Sequence, residues 1–327
     1  MKVADLLEAR RKNWEELDRL CAQMETSTRR SMGPLAVSRF AALYRAACAD
    51  LALANAYQLP SGTVQYLHRL VGRSHNQLYR SRIFDFSAWG RALLVDAPRK
   101  IFNDHCVQVC FVLFWGVFLI SAFAAASPGM WPDYVDQLMG AEAIQEMEEM
   151  YADGIGRTAD EDAFMAGFYI RNNTGIGLRC FAYGLLVIPG VYVTIFNSAI
   201  LGCVFGYMAR PDAIGRDNFF EFVTAHGPFE LTAIVLSAGA GLRLGMSWII
   251  TGGLSREASM QKAGREVMPI AGAMMILFIV AGLIEGFLSA SPAPYAVKFS
   301  VFLLSILILL FYFFVLGFPW EIFRATR

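Results

Sequence analysis

The chain has 327 residues, of which 56% are hydrophobic and 17% charged, with a mean hydropathy of +0.44 and a formal net charge of zero. That is too apolar and too sparsely charged for an ordinary soluble domain of this length. The zero net charge excludes a uniformly basic nucleic-acid binder and hides a segregation. Residues 1–100 carry 16 Lys/Arg against 9 Asp/Glu, and residues 127–171 carry 2 Arg against 10 acids.

The first residues lack an apolar h-region and a cleavage site, so no signal peptide is expected. Residues 1–83 read as a helical domain. Leu6, Leu7, Trp14, Leu17, Leu20 and Cys21 form one helical stripe, Gly33-Pro34 breaks the pattern, and Leu35–Tyr57 gives a second amphipathic helix. A third runs from Ser61, a capping residue type, to about Arg80. Together they predict a small helical bundle, and its basic surface reads as a solvated face rather than a nucleic-acid site.

Residues 84–106 predict an interfacial amphipathic helix, with Trp89, Leu93, Leu94 and Ile101 on one side and Arg91, Arg99 and Lys100 able to snorkel. Residues 107–126 are apolar for about the twenty residues that a hydrocarbon core requires. Basic residues precede this first transmembrane helix and acids follow. The positive-inside rule then places the N-terminus in the cytoplasm and residues 127–171, an acidic loop, outside.

Residues 172–327 predict a membrane-embedded bundle of about four to five further spans, some broken or re-entrant. The run Leu178–Ala209 is too long for one upright helix. Pro189-Gly190 and Asn197-Ser198 interrupt it, predicting either a kinked span or a hairpin near Asn197 with a short arm over Ser198–Ala209. Phe219–Ile250, Met268–Leu288 and Ala296–Phe318 supply the other apolar runs, with a basic loop before Met268. Six crossings keep that loop and the C-terminus on the cytoplasmic side. Trp131, Trp248 and Trp320 fit interfacial anchors. The fold class is therefore all-α: a polytopic helical membrane protein with an N-terminal cytoplasmic bundle.

Polar side chains inside apolar runs face a bundle interior or a cavity. The candidates are Asn172, Asn173, Arg179, Asn197, His226, Glu230, Arg243 and Glu285. His226 and Glu230 share a helical face in HGPFE, and Pro228 marks the first turn of that helix. The pair could fix helix packing, handle a proton or ion, or bind a metal. Two ligands with no third His nearby are too few for zinc, so neither a metal nor a cofactor is expected. Grouping His226 and Glu230 with Glu285 holds whether the chain crosses five times or six. Gly202, Gly206, Gly241 and Gly245 form two GxxxG pairs, and Gly227 and Gly286 are further packing candidates. Close approach within the bundle is the first reading of these glycines, a homodimer face the second. The six cysteines include no CxxC and read as reduced packing residues. The acidic EAIQEMEEMYADG lacks the ligand spacing of a calcium loop and reads as a solvated helix. No soluble-enzyme motif is present, so an enzyme is the weakest reading.

FYIRNNTGIGLRCFAYGLLVIPGVYVTIFNSAILG, then HGPFELTAIVLSAGAGLRLG, then AGLIEGF resemble, in order and spacing, the stage II sporulation protein M family over about residues 100–290. The upstream W-x-x-L at Trp14 and YLHRLVGRSHNQLYR resemble the longer, non-sporulation branch. The resemblance carries over Asn172, Asn173, Asn197, His226, Gly227, Glu230, Glu285 and Gly286. It implies a multi-pass protein of the bacterial cytoplasmic (inner) membrane that acts as a non-enzymatic scaffold or partner in cell-envelope assembly or remodelling. It also implies membrane or envelope protein partners and a link to AAA+ ATPase systems. A transporter or channel for a small solute, ion or lipid, using the His/Glu cluster, is the alternative.

Overall fold

The computed structural model describes residues 3–26, 29–78, 86–153 and 159–319. They are almost wholly helical and divide into two compact units, Met1–Asp85 and Phe86–Arg327.

In the first unit, α1 (Val3–Thr26), α2 (Arg29–Ala56) and α3 (Ser61–Leu78) enclose a core of Trp14, Leu17, Leu20, Phe40, Leu43, Leu67 and Leu70. The α2 path breaks at Gly33, where φ is +75°, a value that favours glycine. Ser61 is already helical. The carbonyl of Pro60 takes the first bond, from Val64, so Ser61 does not cap. Asp50 is fully buried and accepts from Trp14 Nε1 at 2.8 Å and from Arg10. Arg39–Glu16 and Arg73 with Asp18 and Glu25 tie the helices at the surface. The Arg39 hydrogen bond lowers the Glu16 carboxyl below its usual value.

The second unit opens with α4 (Phe86–Arg91), a π-helical turn (Ala92–Asp96) and α5 (Ala97–Asn103). The π turn shifts the register. Trp89 and Leu94 are exposed whereas Ala97 and Ile101 are buried, so the expected single face of Trp89, Leu94 and Ile101 is split. Asp104 then caps α6 (His105–Ala126), accepting from the Cys106 and Val107 amides.

Beyond α6 the acidic segment, expected as a loop with one solvated helix at EAIQEMEEMYADG, holds that helix and further helical stretches. Residues 127–171 include α7 (Tyr134–Met139), α8 (Ala141–Ala152) and the first half of α9 (Ala159–Gly184). The turn after α9 falls at Leu185–Val187, not at Asn197, and α10 (Ile188–Met208) is continuous through Asn197-Ser198. Pro189 therefore sits in a first helical turn, where its missing N–H costs nothing. The short re-entrant arm is replaced by a full-length helix. Then follow α11 (Arg216–Val223), α12 (Gly227–Ile249), α13 (Arg256–Ile284) with a terminal π turn (Glu285–Ser289), and α14 (Tyr295–Leu310) with another (Phe311–Leu316). The segment before Met268, expected as a loop, is the first third of α13, which runs through Pro269. Trp320 and the C-terminal arginines lie outside the described residues.

Close contacts fix the helix directions. Gly202 meets Phe118 and Gly206 meets Ala122, so α10 runs parallel to α6. Gly184 meets Gly190, so α9 and α10 form an antiparallel hairpin. Gly177 faces Ser237, Gly241 meets Phe181 and Gly245 meets Gly184, so α12 runs parallel to α9. Gly286 meets Ala166 and Gly282 meets Ile170, so α13 returns antiparallel to α9. The start of α14 meets the end of α13 through Lys298 and Ser289. Its far end returns to the start of the unit, where the Tyr312 hydroxyl donates to the Leu93 carbonyl at 2.6 Å.

Among the described residues six helices thus traverse the bundle in alternating directions, and the unit's beginning and the π turn Phe311–Leu316 lie at one end, the entry end. Five of the six are long and apolar enough to cross a membrane. The sixth, α9, carries Arg171, Asn172, Asn173 and Arg179. Four of the predicted packing glycines (Gly202, Gly206, Gly241, Gly245) and Gly286 are used within the chain. Gly227 is not, because nothing lies within 4 Å of where its Cβ would stand. All six cysteines are free.

Candidate functional site

The far end of the bundle holds a buried polar cluster. Gly227-Pro228 starts α12, leaving His226 at the N-cap position and Glu230 one turn further on, on the same side. Glu285 arrives on the π turn that ends α13, which buries Glu285, Gly286 and Ser289 together. One ligand atom from each of His226, Glu230 and Glu285 lies within 4.8 Å of the others. His226 Nε2 stands 3.6 Å from Glu230 Oε2, and Nδ1 lies 2.9 Å from Ser289 Oγ. Asn173 on α9 donates from Nδ2 to Glu285 Oε2 at 2.9 Å, and Asn172 donates to Asn173 Oδ1 at 3.1 Å. His226, Glu285, Asn173 and Ser289 are all at most 6% exposed.

Of the eight polar candidates, the structure brings together His226, Glu230, Glu285 and Asn173, with Asn172 at the edge. The other three lie elsewhere. Arg243 is at the entry end, 2.9 Å from Glu266 and 3.4 Å from Asp104, where it ties α12 to α13 and to the cap of α6. Asn197 donates to Cys180 Sγ at 3.3 Å between α10 and α9. Arg179 is exposed on α9.

Sequence reasoning did not select Lys298, Ser289, Tyr151 or Tyr169. Lys298 is 3% exposed and donates to the Ser289 carbonyl at 2.9 Å, with Glu221 at 3.9 Å. Its signal was available: a lysine inside an apolar span is rare unless paired. Tyr151 on α8 packs edge-on against Phe219 and near Phe222, which in turn contacts the His226 ring at 5.5 Å. Tyr169 meets the same Phe222 edge-on, with ring centroids 6.0 Å apart. These rings cover the cluster from the side of the acidic segment. Burial first, then the negative charge of Glu285, pushes the Tyr151 phenol up to about 12, so it stays protonated.

A second feature is a cavity of about 850 Å³ between α6, α12 and α14. Apolar and aromatic residues dominate its wall, from Phe102 and Phe313 at the entry end to Phe220 and Tyr295 at the far end. Gly227 and Pro228, beside His226, belong to that wall.

The model of the stage II sporulation protein M family matches residues 109–290, from the first turns of α6 to just past the second π turn. The chain belongs to the stage II sporulation protein M family. Every residue of the His226–Glu230–Glu285–Asn173 cluster falls within the matched span, as does the whole α9–α12 core. A domain of unknown function, DUF8413, matches residues 4–80, which coincide with the three-helix unit. No curated protein and no solved structure matches the chain. Family membership and the five apolar helices make it a multi-pass membrane protein.

Proposed function

We propose that this member of the family is a non-enzymatic scaffold of the bacterial inner membrane in envelope assembly or remodelling. The chain crosses six times, with its three-helix unit in the cytoplasm. The observation that carries the reading is how the polar groups inside the bundle are used: they join helices. Asn173–Glu285 joins α9 to α13, Arg243 with Asp104 and Glu266 joins α6, α12 and α13, and Lys298–Ser289 joins α14 to α13. Such pairing rigidifies a platform. The basic bias of residues 1–100 ahead of α6 supports a cytoplasmic N-terminus. The charged faces of α1–α3 on one side and of α8 on the other are the surfaces for protein partners, an AAA+ ATPase among them.

The test is affinity capture of the full-length tagged chain from native membranes after in-cell crosslinking, read by mass spectrometry. Stable envelope or ATPase partners are expected, and reversing the charges of the exposed Lys12, Arg19 and Arg69 should remove those bound on the cytoplasmic side. Recovery of no partner on either side overturns the reading. The 850 Å³ apolar cavity favours a second reading, movement of a lipid along α6, α12 and α14. Phospholipid scrambling in proteoliposomes, abolished by Leu231→Trp, would establish it. Scrambling no faster than in empty vesicles would remove it.

A further inference from the structure

We propose that His226, Glu230 and Glu285 form a binding site for one divalent transition-metal cation of the zinc class. The proposal is independent of the scaffold reading, because it concerns an ion rather than a partner protein.

Three observations converge on it. The first is the donor set. An imidazole nitrogen and two carboxylate oxygens from α12 and the second π turn gather within 4.8 Å of one another, at a depth where His226 and Glu285 are 4% and 6% exposed. The sequence groups Glu285 with His226 and Glu230, and the fold brings it, from a position 55 residues beyond Glu230, within reach of both.

The second is the arrangement around the donors. His226 Nδ1 is engaged by Ser289 Oγ at 2.9 Å. With Nδ1–H donating to that hydroxyl, Nε2 presents a lone pair toward Glu230 Oε2. Their separation of 3.6 Å is too long for a hydrogen bond and suits two atoms ligating a common ion. Asn173 holds Glu285 in place by donating to Oε2. An imidazole oriented through its other nitrogen and a carboxylate oriented by an amide are the outer-shell supports typical of metal sites.

The third is charge. Two carboxylates and an imidazole, with His226 and Glu285 almost wholly buried and Glu230 about 20% exposed, make a donor set that favours a cation. A divalent cation neutralises both carboxylates at once. An imidazole among the donors selects zinc, iron or nickel over magnesium and calcium, which prefer all-oxygen shells.

The experiment uses the full chain purified in detergent through a tag without histidines, stripped with a chelator and dialysed. Zinc chloride is titrated calorimetrically, with manganese and magnesium chloride as parallel arms. One zinc per chain is expected, with manganese weaker and magnesium weakest. Glu285→Gln and His226→Ala should each weaken zinc binding at least tenfold. Ser289→Ala and Asn173→Ala should weaken it less. Asn197→Ala and Glu266→Gln, at polar contacts elsewhere in the bundle, should bind as the wild type does.

Cobalt chloride added to the unmodified chain provides a readout that does not depend on variants folding. Visible d–d bands of four- or five-coordinate cobalt are expected, displaced by zinc. Wild-type binding no stronger than that of His226→Ala/Glu230→Gln/Glu285→Gln, or the absence of those bands, overturns the proposal.

Discussion

The α6–α10 contact makes the strongest quantitative prediction, because it rests on backbone against backbone. A methyl group at Gly206 would meet the Ala122 carbonyl oxygen, with the Ala122 carbonyl carbon at 2.7 Å and its Cα at 2.8 Å. No side chain can rotate away, so α10 itself must move. Overpacking of this kind costs about 1–3 kcal/mol, and contact with backbone places Gly206→Ala near the upper end. Replacing glycine by alanine inside a helix returns about 0.5–1 kcal/mol. Gly116→Ala in α6 is the matched control, since nothing lies within 4 Å of a Cβ there. The propensity gain is common to both variants and cancels in their difference, so Gly206→Ala should be less stable than Gly116→Ala by about 2–3 kcal/mol. The assay is reversible unfolding by SDS titration in mixed micelles, followed by far-UV circular dichroism. Gly202→Ala, one turn away against Phe118, should add less than its own single effect, because the first methyl has already separated the helices. If Gly206→Ala unfolded at the same SDS fraction as Gly116→Ala, the parallel α6–α10 contact would be wrong.

Three further outcomes can be measured. Asp50→Ala leaves the Trp14 indole N–H and the Arg10 guanidinium without their acceptor. As Arg10 is about one-third exposed, a loss of about 2–3 kcal/mol is expected, read as faster amide exchange across residues 3–78. The Glu16 carboxyl is held below its usual 4.5 by Arg39, so its stabilising contribution is present above that value and lost as the pH falls through the lowered one. Glu16→Gln should flatten the acid limb of the N-terminal unit's stability below about pH 4.5 without changing stability at the acid end, and an unchanged acid limb would refute the linkage. In a cysteine-free background, cysteines placed at Asp133 and Leu186 should react with impermeant maleimide from opposite sides of the membrane. Labelling of both from one side would show that α9 does not cross.

What the sequence made legible depends on how local each signal was. The start of α12 followed from Pro228, since proline at a first turn acts within a few residues, whereas Pro189 read as an interruption inside a longer run and not as the start of α10. The position of Arg243 was also within reach. Sixteen residues beyond Gly227 at 1.5 Å per residue is roughly 24 Å, the opposite end of a hydrocarbon layer from His226. Grouping Arg243 with the His226 candidates ignored that arithmetic. The traverse of the bundle by α9 was hidden for a different reason. Hydropathy averages around the helix, and the Arg171–Asn173 stretch reads as loop unless one knows that Asn173 points inward at Glu285 and that Arg171 and Asn172 point out. No window average contains that directional information.

The π turn at Glu285–Ser289 explains how the expected group of His226, Glu230 and Glu285 gains Ser289 and Asn173 as partners, which the sequence did not show. On an ideal α-helix, Glu285 and Ser289 would be offset by about 40°, because four steps of 100° overshoot one turn. A π turn has more residues per turn, which brings i and i+4 closer to one line. Here both residues are buried on the same side, one engaging Asn173 and facing Glu230, the other engaging His226. The same widening seats Gly286 on Ala166, where a Cβ would collide. The glycine, the glutamate and the serine therefore act as one device. Gly286 allows α9 to come close enough for Asn173 to reach Glu285, and the wider turn swings Ser289 under the imidazole. Hydropathy marks this stretch only as the end of an apolar helix. Its local backbone geometry is what converts three separate polar residues into a converging set.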